Sequence, residues 1–292
     1  SALSIKPDYA MAYNNLGIAL TNVTFSKPNR DLQKTLFSLL DKERYVRPKD
    51  IANAAISLLK FELNLKKSLQ LADDQLIQDP LDVISDLCGL PLLLKLMRVC
   101  SIPDLELEGL FKKLRCSILS NISSLEEASP ELIEFQSSLA LQCFTSEYIY
   151  NNTDEEEKVL QSLDASIKKA LKNKEQPSPQ MILALASYKS LNQYDWCDLL
   201  VVTDDIREVF TRQVKEPNEE EKLKKQLVIL EEITDTVSSK VRVQYEENPY
   251  PRWVNLPIPL KPFSILEVAN QVNLKLHDYK INEVKVPEIL IA

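Results

Sequence analysis

Glycine is the residue that this sequence uses least for its length: 292 residues include only Gly17, Gly89 and Gly109. Ordinary usage of about 7% would give roughly twenty glycines. Glycine supplies the positive φ angles of tight hairpins and lets a backbone approach a phosphate closely. Three separated glycines therefore exclude an all-β fold, a P-loop and a complete dinucleotide-type glycine loop within this chain. A mostly helical fold is predicted, because helices need little glycine.

Histidine and clustered cysteine are also scarce. His277 is the sole histidine, and we expect it to lie at the surface. The five cysteines are widely and unequally spaced and form no C-x-x-C pair. These features exclude a His-rich zinc site, so no metal is predicted, and the thiols are expected to be buried in a reducing cytoplasm. A hydrolase using Cys143 or Cys197 would depend on His277 alone and is the least favoured function.

The chain lacks long hydrophobic runs and an excess of basic residues. Its longest apolar run starts at Leu90 and stops at Lys95, far short of the roughly 20 residues of a membrane span. It carries 43 acidic and 35 basic residues, a formal net charge of −8. The lysine clusters lie beside acidic runs, which is typical of solvated helix faces. We therefore predict a cytoplasmic protein without a membrane or nucleic-acid partner.

Apolar residues at helical spacing fill the chain from about residue 30 to residue 245. Proline or capping residues mark helix starts at Pro48, Pro80, Asp104, Pro130, Thr153, Pro179 and Pro217. The last of these predicts one long helix whose apolar side carries Leu223, Leu227, Leu230, Ile233, Val237 and Val241. The predicted fold class is all-α, either a multi-helical bundle or a helical-repeat-like array.

The N-terminus has the residue spacing of a tetratricopeptide repeat (TPR). The spacing is carried by Pro7, Tyr13, Leu16, Gly17 and Leu20. A helix is predicted from Asp8 to about Thr21, and this remnant of a repeat should dock on the helices that follow. Asn14 and Asn15 lie where the first helix of a repeat offers side-chain amides to a peptide, so a protein or peptide partner is expected there.

The C-terminal residues form a short, strand-like apolar tail. Val286 to Ala292 follow the pattern of a buried parallel strand, with Pro287 near its start. A lone strand has no partner, and the chain begins inside a repeat, so both ends are expected to be truncation points. An exposed strand would pair with a second copy, giving a homodimer, or fold back on the helices.

The composition changes abruptly after the last predicted helix. Pro249 and Pro251 hold the backbone extended. Around them the chain presents Tyr245, Asn248, Tyr250, Arg252 and Trp253. Aromatic faces beside an arginine fork suit a planar or anionic group. The alternative is a linker whose aromatic side chains hold two domains together.

Four segments together resemble the bacterial TPR-containing methyltransferases, and the resemblance covers essentially the whole chain. They are Tyr13–Gly17, Leu139–Tyr150, Tyr245–Trp253 and Ile289–Ala292. In this family a repeat array and a helical region precede a class I, S-adenosylmethionine-dependent methyltransferase domain. The resemblance implies a TPR remnant at 1–22, a helical domain at 23–243, a Pro/aromatic linker segment at 244–263 and the truncated start of a methyltransferase domain at 264–292.

The resemblance also defines what the chain is expected to do. In the family the strand that Ile289–Ala292 resembles runs into a glycine-rich loop that binds S-adenosylmethionine, and the given sequence ends at Ala292. We expect the cofactor in the full-length protein, weak or no binding by this chain alone, and no methyl transfer by it. The leading function is a substrate-recognition or regulatory region; the alternative is a non-enzymatic helical-repeat scaffold that binds another protein.

Site residues follow from the same resemblance. It places Tyr245, Asn248, Tyr250, Arg252 and Trp253 over the active-site mouth as a lid or substrate wall, and it names no catalytic base. Arg252 would hold a carboxylate, while Tyr245 and Trp253 would supply stacking faces. Glu147 and Tyr148 form either the polar contact of the helical domain with that segment or, for Glu147, a surface position or an ion pair.

Overall fold

The computed structural model describes residues 9–42, 45–74, 77, 79–123, 129–227, 235–247, 254 and 262–275. These residues form helices and no strand, which confirms the all-α prediction. The helices are α1 (Ala10–Leu20), α2 (Arg30–Leu40), α3 (Pro48–Leu59), α4 (Leu63–Asp74), α5 (Leu81–Cys88), α6 (Pro91–Val99), α7 (Leu105–Ser120), α8 (Pro130–Thr145), α9 (Asp154–Lys172), α10 (Pro179–Ala186), α11 (Arg207–Phe210), α12 (Glu216–Lys224), α13 (Thr236–Glu247) and α14 (Ile265–Gln271).

Capping side chains start several of these helices where the sequence predicts them. Asp104 accepts from the N–H of Leu107 at 3.1 Å, and Ser129 accepts from that of Leu132 at 3.1 Å. Thr153 and Glu156 form a reciprocal capping box at the start of α9. Each cap satisfies backbone donors that the first helical turn leaves without an intrahelical acceptor.

Helix α1 is docked on the chain that follows it. Tyr13 is buried and its ring stacks on that of Tyr45, with centroids 5.9 Å apart. A Cβ on Gly17 would lie 3.0 Å from the Cβ of Val46, so the backbone of α1 approaches its neighbour as closely as a glycine allows. The predicted docking of the N-terminal helix is confirmed.

Two hydrophobic clusters organise the interior. The first cluster holds the buried apolar residues of α1 to α6, most of those of α7 and α8, and Tyr150. The second cluster runs from Leu119 to Val214 and includes α9, α10 and the short turns after them. Helix α8 lies between them: Phe135 to Thr145 are all buried, and α8 contacts α5, α6, α10 and α11.

The second cluster is closed by short, irregular turns. Three 3-10 turns, Leu191–Gln193, Cys197–Leu199 and Asp204–Ile206, lead into α11, and a π-helical turn, Thr211–Lys215, joins α11 to α12. Pro217 has no N–H to offer the carbonyl of Gln213. The hydroxyl of Ser190 donates to that carbonyl at 3.2 Å instead, so the proline is accommodated inside a helical run.

The prediction of one long helix starting at Pro217 is wrong. Helical structure already begins at Arg207, α12 ends at Lys224, and residues 225–227 form a turn. Four residues on the apolar side of the predicted helix lie in the described ranges, and all four are exposed and belong to neither cluster: Leu223, Leu227, Val237 and Val241. Helical spacing identified the apolar residues, but no neighbouring element covers them in the part of the chain that the structure describes.

Several predicted features lie outside the described residues: the 286–292 strand, His277, and residues 1–8 of the repeat remnant. Among the helices of the described ranges, none combines the length and apolar character that crossing a bilayer requires.

Candidate functional site

The Pro/aromatic segment is described only at its two edges. Tyr245 lies on α13, with 67% of its surface exposed. The other four predicted site residues of this segment, Asn248, Tyr250, Arg252 and Trp253, lie outside the described residues. Val254, which directly follows Trp253, is half-buried and packs against the first cluster.

Glu147 and Tyr148 form the C-terminal cap of α8. The N–H of Glu147 donates to the carbonyl of Phe144 at 3.1 Å, and that of Tyr148 donates to the carbonyl of Cys143 at 2.8 Å. This pair of bonds is a Schellman motif, which places its first residue past the helix cap in the left-handed region. Glu147 and Tyr148 have φ angles of 54° and 52°, and glycine is usually favoured at the position of Glu147.

Tyr148 connects the two clusters. Its ring packs against the first cluster and meets Phe144 edge-on, with centroids 6.4 Å apart. Its hydroxyl donates to the carbonyl of Ala186, at the end of α10, at 3.3 Å. The structure therefore gives Tyr148 a role inside the helical body, and its predicted contact with the Pro/aromatic segment remains a prediction.

Asn14 and Asn15 lie on α1 beside its buried face. Asn14 is half-buried and Asn15 is exposed. The buried positions Tyr13 and Gly17 point into the first cluster, so the asparagines occupy the neighbouring flank. Asn15 is exposed at the surface, and its contact with a peptide remains a prediction.

A surface groove of about 690 Å³ opens between α2, the end of α3 and the start of α6. Leu90 and Leu92 form its apolar floor. Phe37 lies on one wall and is 38% exposed. Leu90, Pro91 and Leu92, at the N-terminal end of α6, line the groove, so the positive end of the helix dipole lies at its edge. This is a volume typical of ligand or peptide sites.

Two cations and one carboxylate lie on the rim of this groove. Arg30 and Lys34 line it from α2, and the carboxylate there, Glu62, is already held by Arg30 at 3.7 Å and by the amide of Gln33 at 2.9 Å. Lys34 has no acidic partner in the described ranges. A basic rim on a protein with a net charge of −8 favours a partner that carries a carboxylate.

The interior contains a buried arginine between the two clusters. Arg115 on α7 is 1% exposed, and its guanidinium lies 3.9 Å from the ring centroid of Tyr188 and 5.4 Å from that of Tyr150. Its Nη2 donates to Oδ1 of Asn152 at 3.0 Å and to the carbonyl of Tyr150 at 3.4 Å. Aromatic faces on the cation and hydrogen bonds in its plane compensate part of its lost hydration.

Glu156 supplies the nearby negative charge. It is buried at the start of α9 and accepts a hydrogen bond from the hydroxyl of Tyr188 at 2.5 Å. Burial alone would raise the pKa of Glu156, but the bonds from Tyr188 and Thr153 and the charge of Arg115 lower it below its ordinary value. Burial, partly opposed by Arg115, raises the pKa of the Tyr188 phenol. Glu156 is therefore a carboxylate at neutral pH, and Tyr188 is its donor.

The thiols are poor nucleophiles. Burial raises the pKa of Cys143 to about 12, with Arg115 opposing the shift, and burial also raises the pKa of Cys197. The thiolate is the reactive form of cysteine, so both side chains are protonated at neutral pH. The hydrolase interpretation therefore loses its nucleophile. No group of acidic, histidine and cysteine side chains within the described ranges has the arrangement of a metal site.

Arg115 and Glu156 are the important residues that the sequence analysis missed. Position 115 follows Phe111 by four residues and precedes Ile118 by three. A charged side chain at that spacing shares the buried face of its helix. This interruption of an apolar stripe was the available signal.

Comparison with known proteins identifies no relative. No family model matches the chain, and no curated protein or solved structure matches it.

Proposed function

We propose that this chain is the helical recognition or regulatory region of a TPR-containing, S-adenosylmethionine-dependent methyltransferase. In this proposal the helical body holds the Tyr245–Trp253 segment at the mouth of a catalytic domain that follows it. In that family, methyl transfer needs the glycine-rich loop that follows the strand resembled by Ile289–Ala292.

The observation that carries the proposal is the position of Val254. A flexible linker would leave the residue after Trp253 in solvent, whereas Val254 packs against the first cluster. Burial of an apolar side chain restricts the residues bonded to it, so a docked Val254 would orient the end of the motif. A recognition segment needs this restraint, because a preorganised site loses less entropy when it binds.

A non-enzymatic scaffold is the second candidate function, and the α2–α6 groove is the observation that favours it. A groove with an apolar floor and the cations Arg30 and Lys34 on its rim suits an acidic peptide with an apolar side chain. The same groove would serve the methyltransferase as the place where its protein substrate or partner docks. The two functions therefore differ in the presence of a cofactor site.

A calorimetric titration with S-adenosylmethionine separates them. The reading frame is followed past Ala292, and the protein that it encodes is titrated beside the 292-residue chain. The proposal expects a Gly-x-Gly continuation and binding by the longer protein alone. A stop codon at that point, or binding by the 292-residue chain with micromolar affinity, would contradict it.

Arg252→Ala tests the role of the motif in the longer protein. Loss of a charge-assisted hydrogen bond to a carboxylate of the cofactor is expected to weaken binding by about tenfold or more. Arg207→Ala is the matched control, because Arg207 is exposed on α11 and pairs with Asp204. Equal affinity of both variants would remove Arg252 from the cofactor site.

A further inference from the structure

Arg115 brings more hydrogen-bond donors into the interior than its protein neighbours accept. Its Nη2 bonds to Asn152 and to the carbonyl of Tyr150, whereas Nε and Nη1 find no acceptor among the described residues. A buried donor of a charged group without an acceptor is costly. Nε and Nη1 of Arg115 therefore need an acceptor that the neighbouring side chains of the described ranges do not supply.

Gln136 on α8 has a hydrogen-bond acceptor that no described donor reaches. It is 1% exposed, and its Nε2 donates to the carbonyl of Gln180 at 3.4 Å. Its Oε1 receives no hydrogen bond from the part of the chain that the structure describes. The described interior thus contains two orphan donors on Arg115 and one orphan acceptor on Gln136, in addition to the unpartnered hydroxyls of Ser117 and Tyr150.

One small cavity is lined by both side chains. Its volume is about 10 Å³, and Ile118, Leu139 and Tyr188 also contribute to its walls. A cavity of roughly 10–15 Å³ is the smallest that holds one water molecule. Two other polar side chains line the cavity, Ser187 and Tyr188. Their hydroxyls already donate, to the carbonyl of Leu183 and to Glu156. Arg115 and Gln136 are therefore the partners that an occupant would meet.

We propose that this cavity is a binding site for a single water molecule, which accepts from the Arg115 guanidinium and donates to Oε1 of Gln136. Two donors and one acceptor match the three or so hydrogen bonds that a buried water usually makes. The water ties α7 to α8 at the junction of the two clusters. A halide ion fits less well, because it would meet the lone pairs of Gln136 and could donate nothing.

A crystal structure of the wild-type chain at about 1.5 Å is the direct test. The proposal expects a water peak at hydrogen-bond distance, about 2.7–3.2 Å, from Oε1 of Gln136 and from Nε or Nη1 of Arg115. An empty cavity, or a direct bond between Arg115 and Gln136, would overturn it. Crystals soaked in bromide give the third outcome: an anomalous peak at the same place identifies an anion site and also overturns the water.

Magnetic relaxation dispersion of water nuclei tests the site in solution, since it counts long-lived internal waters. Gln136→Leu is expected to lose one such water. Gln142→Leu is the matched control, because Gln142 is equally buried on the same helix, bonds to Ser146 and does not line the cavity. It should keep that water.

Equal counts for Gln136→Leu and the wild type would contradict the proposal. Circular dichroism establishes that each variant is folded. Should Gln136→Leu fail to fold, the wild-type crystal structure decides the question without it.

Discussion

The first and the second cluster are stabilised in different ways. In the first cluster the large buried side chains are almost all aliphatic or aromatic, and regular helices supply them. Polar side chains surround the second cluster and its irregular turns. The hydroxyl of Ser190 donates to the carbonyl of Gln213, and Oε1 of Gln213 accepts from the N–H of Leu191. Trp196, a member of the cluster, donates to Oδ1 of Asp164 on α9. Apolar burial tolerates local adjustment, whereas a polar network fails when one member is lost. The second cluster should therefore respond more sharply to polar substitutions.

Phe111→Ala in the first cluster is expected to have the largest effect. Phe111 is completely buried on α7, so its truncation leaves a cavity and should cost about 3–5 kcal/mol of unfolding free energy. Urea unfolding followed by circular dichroism measures the loss. Phe37→Ala, on the exposed side of α2, is the control and should cost much less. A small loss for Phe111→Ala would mean that the first cluster is loosely packed.

Gln213→Leu tests the polar stabilisation of the second cluster. Gln213 is fully buried; its amide donates to the carbonyls of Ala140 and Ala186, and its Oε1 accepts from the N–H of Leu191. An isosteric apolar side chain leaves these groups without a partner, at a cost of about 2–4 kcal/mol. The exposed Gln193→Leu serves as control in the same unfolding assay. A neutral Gln213→Leu would remove the distinction between the clusters.

Tyr188→Phe tests the charge in the network through its pH dependence. Because the pKa of Glu156 is lowered in the folded protein, its contribution is present above the unfolded pKa and is lost as the pH falls through the folded pKa. The variant should lose about 1.5–3 kcal/mol at pH 7 and less in acid. Tyr194→Phe, whose hydroxyl donates to no carboxylate in the described ranges, should show a pH-independent difference. A constant difference for Tyr188→Phe would contradict the account.

Two glycines give a matched test of how α1 docks. Gly17→Ala places a Cβ 3.0 Å from that of Val46, and overpacking of this kind costs about 1–3 kcal/mol. Gly109→Ala meets nothing within 4 Å on α7 and should gain about 0.5–1 kcal/mol from helix propensity. Opposite shifts of the thermal midpoint are expected. A neutral Gly17→Ala would indicate that α1 is only loosely attached.

Replacing Tyr13 and Leu16 by serine should lower the same midpoint, because Tyr13 is buried and Leu16 packs against the first cluster.

Glu147→Gly is expected to have the smallest effect and separates the two interpretations of Glu147. Glycine relieves the left-handed φ of 54°, so a surface Glu147 predicts a gain of about 1 kcal/mol. Lys174→Gly is the parallel control, since Lys174 has a φ of 64° at the end of α9. A gain at Lys174 with a loss at Glu147 would indicate that the Glu147 side chain makes a contact of consequence.

Sequence reasoning was accurate where one physical rule determined the outcome. Glycine scarcity and helical spacing predicted the fold class, and capping residues predicted the starts of α7, α8 and α9. The same scarcity had an effect that composition did not reveal: no glycine has a positive φ, and Asn22, Glu147, Lys174 and Asn273 occupy the left-handed positions after helices. Local sequence does not show which non-glycine residues will adopt a left-handed φ, because packing by neighbouring elements holds them in that conformation.

The candidate sites were less predictable, because they depend on contacts between distant residues. Helical spacing alone places Arg115 on a buried face, but its partner Glu156 comes from α9 and Tyr188 from the turn after α10. The apolar side predicted for residues 217–245 shows the converse error, since spacing cannot tell whether another element covers a helix. The docking of Val254 likewise required the folded structure.

Hydrogen exchange mapped along the chain tests the central claim most directly: that the two clusters form one helical domain in which α7 and α8 belong to both. Exchange is measured for the wild type, Phe111→Ala and Gln213→Leu. The account predicts that each variant accelerates exchange of the slowest amides in both clusters by one common factor, since they unfold together. Acceleration confined to the cluster that carries the substitution would contradict it and divide the chain into two domains.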